Sequence, residues 1–291
     1  MSIANILVPV RGDGKGENVL AHAAAVARRH NAHIEAVHCR ARPQDMIPYG
    51  VAVPPALRKR LEAQVVELAN AEEASLEVLF RDLMGRLGLE LIETGTPPRD
   101  WARDRPSAGW CEEQGKQMDV IKRHGRLADL VAVAQPDRDR NLGVNTLKSA
   151  LFSTGRPVLV CPPADTVPRV LGERIAIAWN GSTEAARAVA LSLPLIQAAS
   201  EIIVLDGGAD DHGASGDELL RYLEIRGVEA RREPISGADN PGRAILAAAA
   251  AAGADLLVMG AYSHSREHES VFGGATQHVV DRTTMPVIMV H

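Results

Sequence analysis

Residues 259–280, near the C-terminus, combine glycines and a hydroxyl group in an arrangement that could bind phosphate. An apolar run ends at Gly260, a polar loop follows, and Gly273 and Gly274 precede a helical pattern that contains Thr276. Glycines let backbone N–H groups approach phosphate oxygens, and a helix N-terminus adds unpaired donors and a partial positive charge. The stretch therefore indicates a phosphate-binding loop.

The polar loop also contains His264 and His268, four residues apart, with Glu267 and Glu269 beside the second histidine. On a helix this spacing could hold a metal ion, but the segment is expected to be a loop, and no third ligand lies near it in sequence. We interpret it as a solvated polar loop and predict no metal ligands. His264 or Arg266 could instead approach a bound phosphate.

Covalent catalysis finds little support in the sequence. No Gly-x-Ser-x-Gly motif occurs. The three cysteines, Cys39, Cys111 and Cys161, are far apart, lack metal-type spacing and fall in or beside predicted strands, where cysteine behaves as a small apolar residue. We predict no catalytic residues, and thiols of this kind are typical of a reducing compartment.

The elements that must position these residues repeat along the chain. Three pairs of matching segments occur in the same order: 4–29 with 173–198, 126–140 with 253–267, and 153–162 with 282–291. Repetition on this scale predicts two copies of one domain. We place them at residues 1–163 and 172–291, joined by a proline-containing linker.

The second copy alternates apolar strands with helices. Ser182 and Asn240 are predicted helix N-caps, and Pro241 suits a first helical position. Predicted strands cover residues 174–179, 201–205, 228–233, 255–260 and 287–290. This alternation predicts a parallel sheet with helices on both faces, in which ligands bind beyond the carboxyl ends of the strands.

The first copy is longer, and its third strand is ambiguous. Residues 54–87 have a helical leucine pattern, and residues 89–93 and 108–113 both have the character of a strand. The number of residues between the strand and the next Ala-Asp-Leu is closer to that of the second copy for residues 108–113, so we prefer this segment. Residues 96–106 are then expected to form a surface excursion.

The first copy lacks the glycines of the phosphate loop. Ala134 stands at the first glycine position, Asp137 at the second and Leu147 near the third. An acidic side chain in such a loop repels phosphate, so we expect no nucleotide to bind there.

In its repeated segments and in the glycine motif of residues 259–280, the chain resembles the universal stress protein family in its tandem two-domain form. Nucleotide-binding members of that family carry Gly-x2-Gly-x9-Gly-[Ser/Thr] after the fourth strand. Gly260 and Gly273 match the first and third positions. Ser263 replaces the second glycine, and Gly274 stands where serine or threonine is expected, with Thr276 two residues further on.

The resemblance also implies a ligand and a fold. After the first strand, nucleotide-binding members usually carry an aspartate that touches the nucleotide, and this chain has Asn180. An adenine nucleotide, ATP or AMP, would bind in the second domain. Each domain would be a Rossmann-like five-stranded parallel sheet of order 3-2-1-4-5, of the adenine nucleotide alpha hydrolase-like type. The implied site residues are Asn180, Gly260, Ser263, Gly273, Gly274 and Thr276.

The last strands, near residues 158–160 and 287–290, would pair across a pseudo-twofold axis, so that one chain forms an intramolecular pseudo-dimer. A homodimer of such tandem chains stays open, as does the role of residues 40–106.

Composition narrows the function. The net charge of -5 offers no basic field for nucleic acid or anionic lipid, and the first residues, MSIANILVPV, lack the basic segment of a signal peptide. The prediction is a cytoplasmic, non-enzymatic stress-response protein with an eroded adenine-nucleotide site in the second domain. Two alternatives stay open, an active ATP- or AMP-binding regulatory switch and a ligand-free interaction scaffold for protein partners.

Overall fold

The computed structural model describes residues 2–12, 14–40, 74–140, 142–208, 213–235, 240–262 and 274–291. Within these residues, strands and helices alternate along the chain, as the apolar periodicity predicts. The strands are β1 (Asn5–Val10), β2 (His33–Arg40), β3 (Glu90–Ile92), β4 (Ser107–Gln114), β5 (Leu130–Ala134), β6 (Val158–Cys161), β7 (Arg174–Trp179), β8 (Glu201–Asp206), β9 (Arg231–Pro234), β10 (Leu256–Gly260) and β11 (Val287–Val290).

Helices cover both faces of the sheet that these strands form. They are α1 (Gly16–His30), α2 (residues 74–87), α3 (Gln117–Gly125), α4 (Val144–Ser153), α5 (Thr183–Leu191), α6 (Leu193–Ala198), α7 (Gly216–Glu224), α8 (Pro241–Ala251) and α9 (Gly274–Arg282). Residues 54–73 of the helix predicted over residues 54–87 lie outside the described residues. No described helix has both the length and the apolar composition that crossing a bilayer requires.

The second half of the chain has the predicted topology. Its strands lie in the order β9-β8-β7-β10-β11, and every neighbouring pair is parallel. Numbered within this half, the order is 3-2-1-4-5, which confirms the expectation drawn from the family resemblance.

The first half repeats this order and adds one strand. Its strands lie in the order β3-β4-β2-β1-β5-β6, so the third position belongs to β4, as the spacing of the repeat predicts. The competing segment is also a strand, because β3 pairs in parallel with the outer edge of β4, with Glu90 beside Ser107. This half therefore has six strands where five were expected, since the free edge of β4 accepts a further strand.

The two halves share one sheet. Strands β6 and β11 pair in antiparallel fashion, with Ile288 beside Leu159 and Val287 beside Val160. All four of these side chains are buried. The pairing predicted for the last strands is thus confirmed. The domain limits at 163 and 172 remain a prediction, and they fall between the end of β6 and the start of β7.

Strand residues alternate between two apolar layers, one on each face of the sheet. In β7, Ile175 and Ile177 belong to one buried cluster, and Ala176 and Ala178 belong to the other. Burial on both faces explains why the strands have nearly continuous apolar sequences.

The predicted helix caps form as expected. The Ser182 hydroxyl accepts a hydrogen bond from the Ala185 backbone N–H, and Asn240 Oδ1 accepts one from the Arg243 N–H at 3.1 Å. The helical segment predicted over residues 183–198 is divided at Ser192 into α5 and α6, and Pro194 lies in the first turn of α6. Proline lacks the N–H that a continuous helix would need there, which accounts for the division.

A buried histidine at the start of β2 predicts that the protein loses stability in mild acid. The His33 ring is within 2.9 Å of Ser107 Oγ and lies against Trp101, and burial lowers its pKa to about 4. Because the pKa in the unfolded chain is higher, near 6.5, His33 contributes stability that is complete above about pH 6.5 and declines as the pH falls toward 4. Lowering the pH from about 7.5 to 5 should cost about 2 kcal/mol of unfolding free energy through this residue.

Urea denaturation at both pH values would measure this loss. The control is His33→Gln, which keeps a donor near Ser107 and does not titrate. The difference between the two pH values should shrink by about 2 kcal/mol in this variant. An unchanged difference would show that other groups cause the acid sensitivity.

Candidate functional site

The candidate site lies where the strand order of the second half reverses, between β7 and β10. These strands are parallel neighbours, with Met259 beside Ala178. The turn at Asn180 and the segment that begins at Ala261 therefore leave the sheet side by side at its carboxyl edge. This is the position at which ligands bind in open α/β sheets.

Asn180 organises the turn that follows β7. Its Oδ1 accepts hydrogen bonds from the Ser182 N–H at 3.2 Å and from the Ser182 hydroxyl at 2.8 Å. The same hydroxyl caps α5. The amide oxygen is thus engaged within the turn, whereas the side chain as a whole is exposed and can present its amide nitrogen as a donor.

Gly260 ends β10 in direct contact with the first turn of α5. A Cβ at this position would lie 2.5 Å from the Ala185 backbone nitrogen and 2.6 Å from the Glu184 carbonyl carbon. Both are main-chain atoms, so they cannot move aside as the end of a long side chain can. Close packing requires glycine here whether or not a ligand binds.

Gly274 and Thr276 lie in the first turn of α9 and differ in their surroundings. Gly274 is exposed, and an added Cβ would meet no described atom within 4 Å. Thr276 is buried, and its Oγ1 accepts a hydrogen bond from the Tyr262 backbone N–H at 3.2 Å. The Thr276 hydroxyl, which the sequence predicts as a phosphate ligand, therefore also connects α9 to the end of β10.

Tyr262 is the residue near the site that the sequence motif did not reveal. Its φ of 64° is in the left-handed region, which is uncommon for a residue with a side chain. Burial, with a further contribution from the Asp281 carboxylate, raises the pKa of its phenol, so the ring stays neutral. The hydrogen bond that the Tyr262 N–H donates to Thr276 supports this turn, and the sequence shows no signal for the turn beyond the end of an apolar strand.

The structure thus brings together four of the six predicted site residues, Asn180, Gly260, Gly274 and Thr276, around the carboxyl ends of β7 and β10. Ser263 and Gly273 lie outside the described residues. The same is true of His264, Arg266, Glu267, His268 and Glu269.

The equivalent place in the first half is largely filled. The Lys15 ammonium lies 3.4 Å from Asp137 Oδ2, and Asp137 and Leu142 exchange two backbone hydrogen bonds of 2.9 Å. The Arg140 backbone N–H, and then the charge of Lys15, hold the pKa of Asp137 below its usual range. The described residues around this loop enclose about 20 Å³, which is close to the space of one water molecule.

The second half of the sequence matches a known family. The model of the universal stress protein family matches residues 173–291. The second half of the chain is a universal stress protein domain. It contains all six predicted site residues, so the glycine motif lies within the matched segment. A comparison with curated proteins gives no match.

Solved structures extend the likeness in fold to both halves. A universal stress protein from Archaeoglobus fulgidus DSM 4304 aligns over 98% of this chain and 97% of its own, with a TM-score of 0.68 and 17% identity. A provisionally assigned universal stress protein from Pseudomonas aeruginosa UCBPP-PA14 covers 99% and 93%, with a TM-score of 0.51 and 14% identity. A protein of unknown function from Pseudomonas aeruginosa PAO1 covers 99% and 92%, with a TM-score of 0.50 and 14% identity. At these identities the likeness shows a shared fold that extends over both halves of the chain.

Proposed function

We propose that this chain is a non-enzymatic, cytoplasmic stress-response protein with two universal stress domains, residues 1–163 and 172–291, the second of which binds an adenine nucleotide weakly. The observation that carries the proposal is the contrast between the two strand-order reversals. At the second, Asn180 and Gly260 lie at the ends of neighbouring strands, and Thr276 of α9 is hydrogen-bonded to Tyr262, two residues beyond β10. The ion pair between Lys15 and Asp137 lies at the first.

The proposed phosphate position is the N-terminus of α9. The first backbone N–H groups of a helix lack partners within the helix, and its dipole favours negative charge there. Gly274 leaves this end exposed, since an added Cβ would meet no described atom within 4 Å. A phosphate at this position, with the nucleoside toward the Asn180 turn, fits an ATP or AMP ligand.

Three features argue for weak binding. Ser263 adds a Cβ where the family motif has glycine. Asn180 uses its amide oxygen within its own turn, where family members usually have an aspartate. Thr276 already accepts a hydrogen bond from Tyr262, so its oxygen offers less to a ligand. The proposed nucleotide site therefore lacks part of the family motif but keeps the N-terminus of α9.

The cytoplasmic location is supported by the cysteines. Cys39, Cys111 and Cys161 form no disulfides, as is usual in a reducing compartment. Protein partners and a homodimer of the tandem chain remain part of the same proposal, since a regulator without chemistry must act through binding.

Nucleotide analysis of the purified protein tests the proposal first. The protein is denatured, and the supernatant is chromatographed for adenine nucleotides. The melting temperature of the nucleotide-free protein is then followed with Mg-ATP, AMP and Mg-GTP at millimolar concentrations. We expect a shift with the adenine nucleotides, because a ligand at a hundred times its Kd stabilises the folded state by about 2.7 kcal/mol.

Two substitutions at Gly274 sharpen the test. Gly274→Glu places a negative charge at the start of α9, which suits the helix dipole but repels phosphate, so the ATP-induced shift should disappear while the fold persists. Gly274→Ser restores the hydroxyl of the family motif and should increase the shift. Equal shifts in all three proteins would place nucleotide binding elsewhere, and no shift in the unmodified protein would favour the ligand-free scaffold.

A further inference from the structure

The first half of the chain contains a second group of chemically capable side chains, away from the strand-order reversals. Glu35 lies on β2 and Cys111 on the neighbouring β4, where Val37 is beside Cys111 and Glu35 beside Gly109. Residues two apart on a strand share a face, so Glu35 and Cys111 project from the same side of the sheet. His124, in the last turn of α3, covers them from above.

The ligand atoms of these three residues are close together. His124 Nδ1 is 2.8 Å from Glu35 Oε1, and one ligand atom each from Glu35, Cys111 and His124 lie within 4.8 Å of one another. All three residues are half-buried, so an ion could enter from solvent and still be partly enclosed. Sulfur, imidazole nitrogen and carboxylate oxygen are the donors that Zn²⁺ takes in proteins, commonly as three ligands plus a water.

The other ring nitrogen of His124 has the partner that metal-binding histidines usually have. Nε2 is 3.1 Å from Glu113 Oε1, and Glu113 in turn pairs with Arg123. A carboxylate at the second nitrogen sets the ring orientation and raises the basicity of the first. Sequence spacing alone shows none of this, since Glu35 and His124 are 89 positions apart.

The local electrostatics also favour a cation. The carboxylates of Glu35 and Glu113 lie on either side of the imidazole. The C-terminal end of α3, which carries the negative end of the helix dipole, is at the same place.

We propose that Glu35, Cys111 and His124 Nδ1 bind a divalent cation of the zinc type, with Glu113 orienting the imidazole and a water completing a tetrahedral site. Binding breaks the S–H bond of Cys111, whose proton goes to solvent, and forms a metal–thiolate bond. The site is independent of the nucleotide site in the second half.

Cobalt is the appropriate probe, because Co²⁺ replaces Zn²⁺ in tetrahedral sites and gives a visible spectrum. Untagged full-length protein is stripped with a chelator and titrated with Co²⁺ and then with Zn²⁺ in excess Mg²⁺. We expect tetrahedral cobalt bands with a thiolate-to-metal charge-transfer band, both removed by one equivalent of Zn²⁺. If the protein shows neither band after the addition of Co²⁺, the proposal is overturned.

Matched variants assign the ligands. Cys111→Ser should abolish the charge-transfer band, whereas Cys39→Ser, on the same sheet face, should retain it. Glu113→Gln should keep the spectrum and weaken Zn²⁺ binding roughly 10- to 100-fold. The double variant His264→Ala, His268→Ala should bind as the unmodified protein does. A charge-transfer band that survives Cys111→Ser, with melting curves confirming that the variant is folded, would refute the assignment.

Discussion

Replacing Gly260 by valine should lower the free energy of unfolding by about 3 kcal/mol, because the new side chain has no room at the end of β10. Its Cβ would lie 2.5 Å from the Ala185 nitrogen and 2.6 Å from the Glu184 carbonyl carbon. Relief requires the first turn of α5 to move away from β10, which would disturb both the Ser182 cap and the Asn180 turn. Urea denaturation of the variant and the unmodified protein measures the loss.

Gly274→Ala is the matched control within the same motif. An added Cβ at Gly274 meets no described atom within 4 Å, and alanine is the better helix former, so stability should be unchanged or rise by up to about 1 kcal/mol. Equal losses at the two positions would contradict the assignment of Gly260 to packing and Gly274 to an open helix terminus. A loss at Gly260 without a loss at Gly274 would instead assign a structural role to the first glycine and a ligand-facing role to the second.

Replacing Leu159 by alanine should cost about 3 kcal/mol, because it opens a cavity where the two halves of the chain join. Leu159 is fully buried on β6, beside Ile288 of β11. These strands form the one antiparallel pairing among the described strands of the sheet, and the loss falls on contacts that both halves share. Urea denaturation followed by tryptophan fluorescence and by circular dichroism would report it.

Leu127→Ala provides the control, since Leu127 is 83% exposed and its truncation should change the free energy of unfolding by less than about 0.5 kcal/mol. Trp101 and Trp110 report on the first half and Trp179 on the second. A Leu159→Ala protein whose two halves unfold at the unmodified midpoints would show that the β6–β11 contact contributes little to stability.

The glycine motif has a structural part as well as a part that could bind a ligand. In sequence, Gly260, Gly273 and Gly274 form one signal for a phosphate-binding loop. In the structure, Gly260 is required by its contact with α5, and Thr276 supports the left-handed turn at Tyr262. Part of the motif therefore maintains the fold, and a glycine or threonine retained there is not by itself a sign of nucleotide binding. The exposed start of α9 remains the feature that supports a ligand.

The class of fold and much of its organisation follow from the amino-acid sequence alone. The repeated segments predict two similar α/β units, and Ser182 and Asn240 mark helix starts that the structure confirms. The apolar runs locate four of the five strands of the second half, whereas β9 begins three residues later than predicted. These features are local, because a strand buried on both faces or a helix cap is encoded within a few consecutive residues.

Contacts between residues that are distant in sequence depend on the tertiary structure. Both candidates for the third strand of the first half form strands in the structure. The later one is β4, in the third position, and the earlier one is β3, on the free edge of β4. The ion pair between Lys15 and Asp137 joins two loops, and the contact between Glu35 and His124 joins a strand and a helix. Periodicity records whether a residue is buried, but strand order and helix packing determine what it contacts, and these depend on the whole sheet at once.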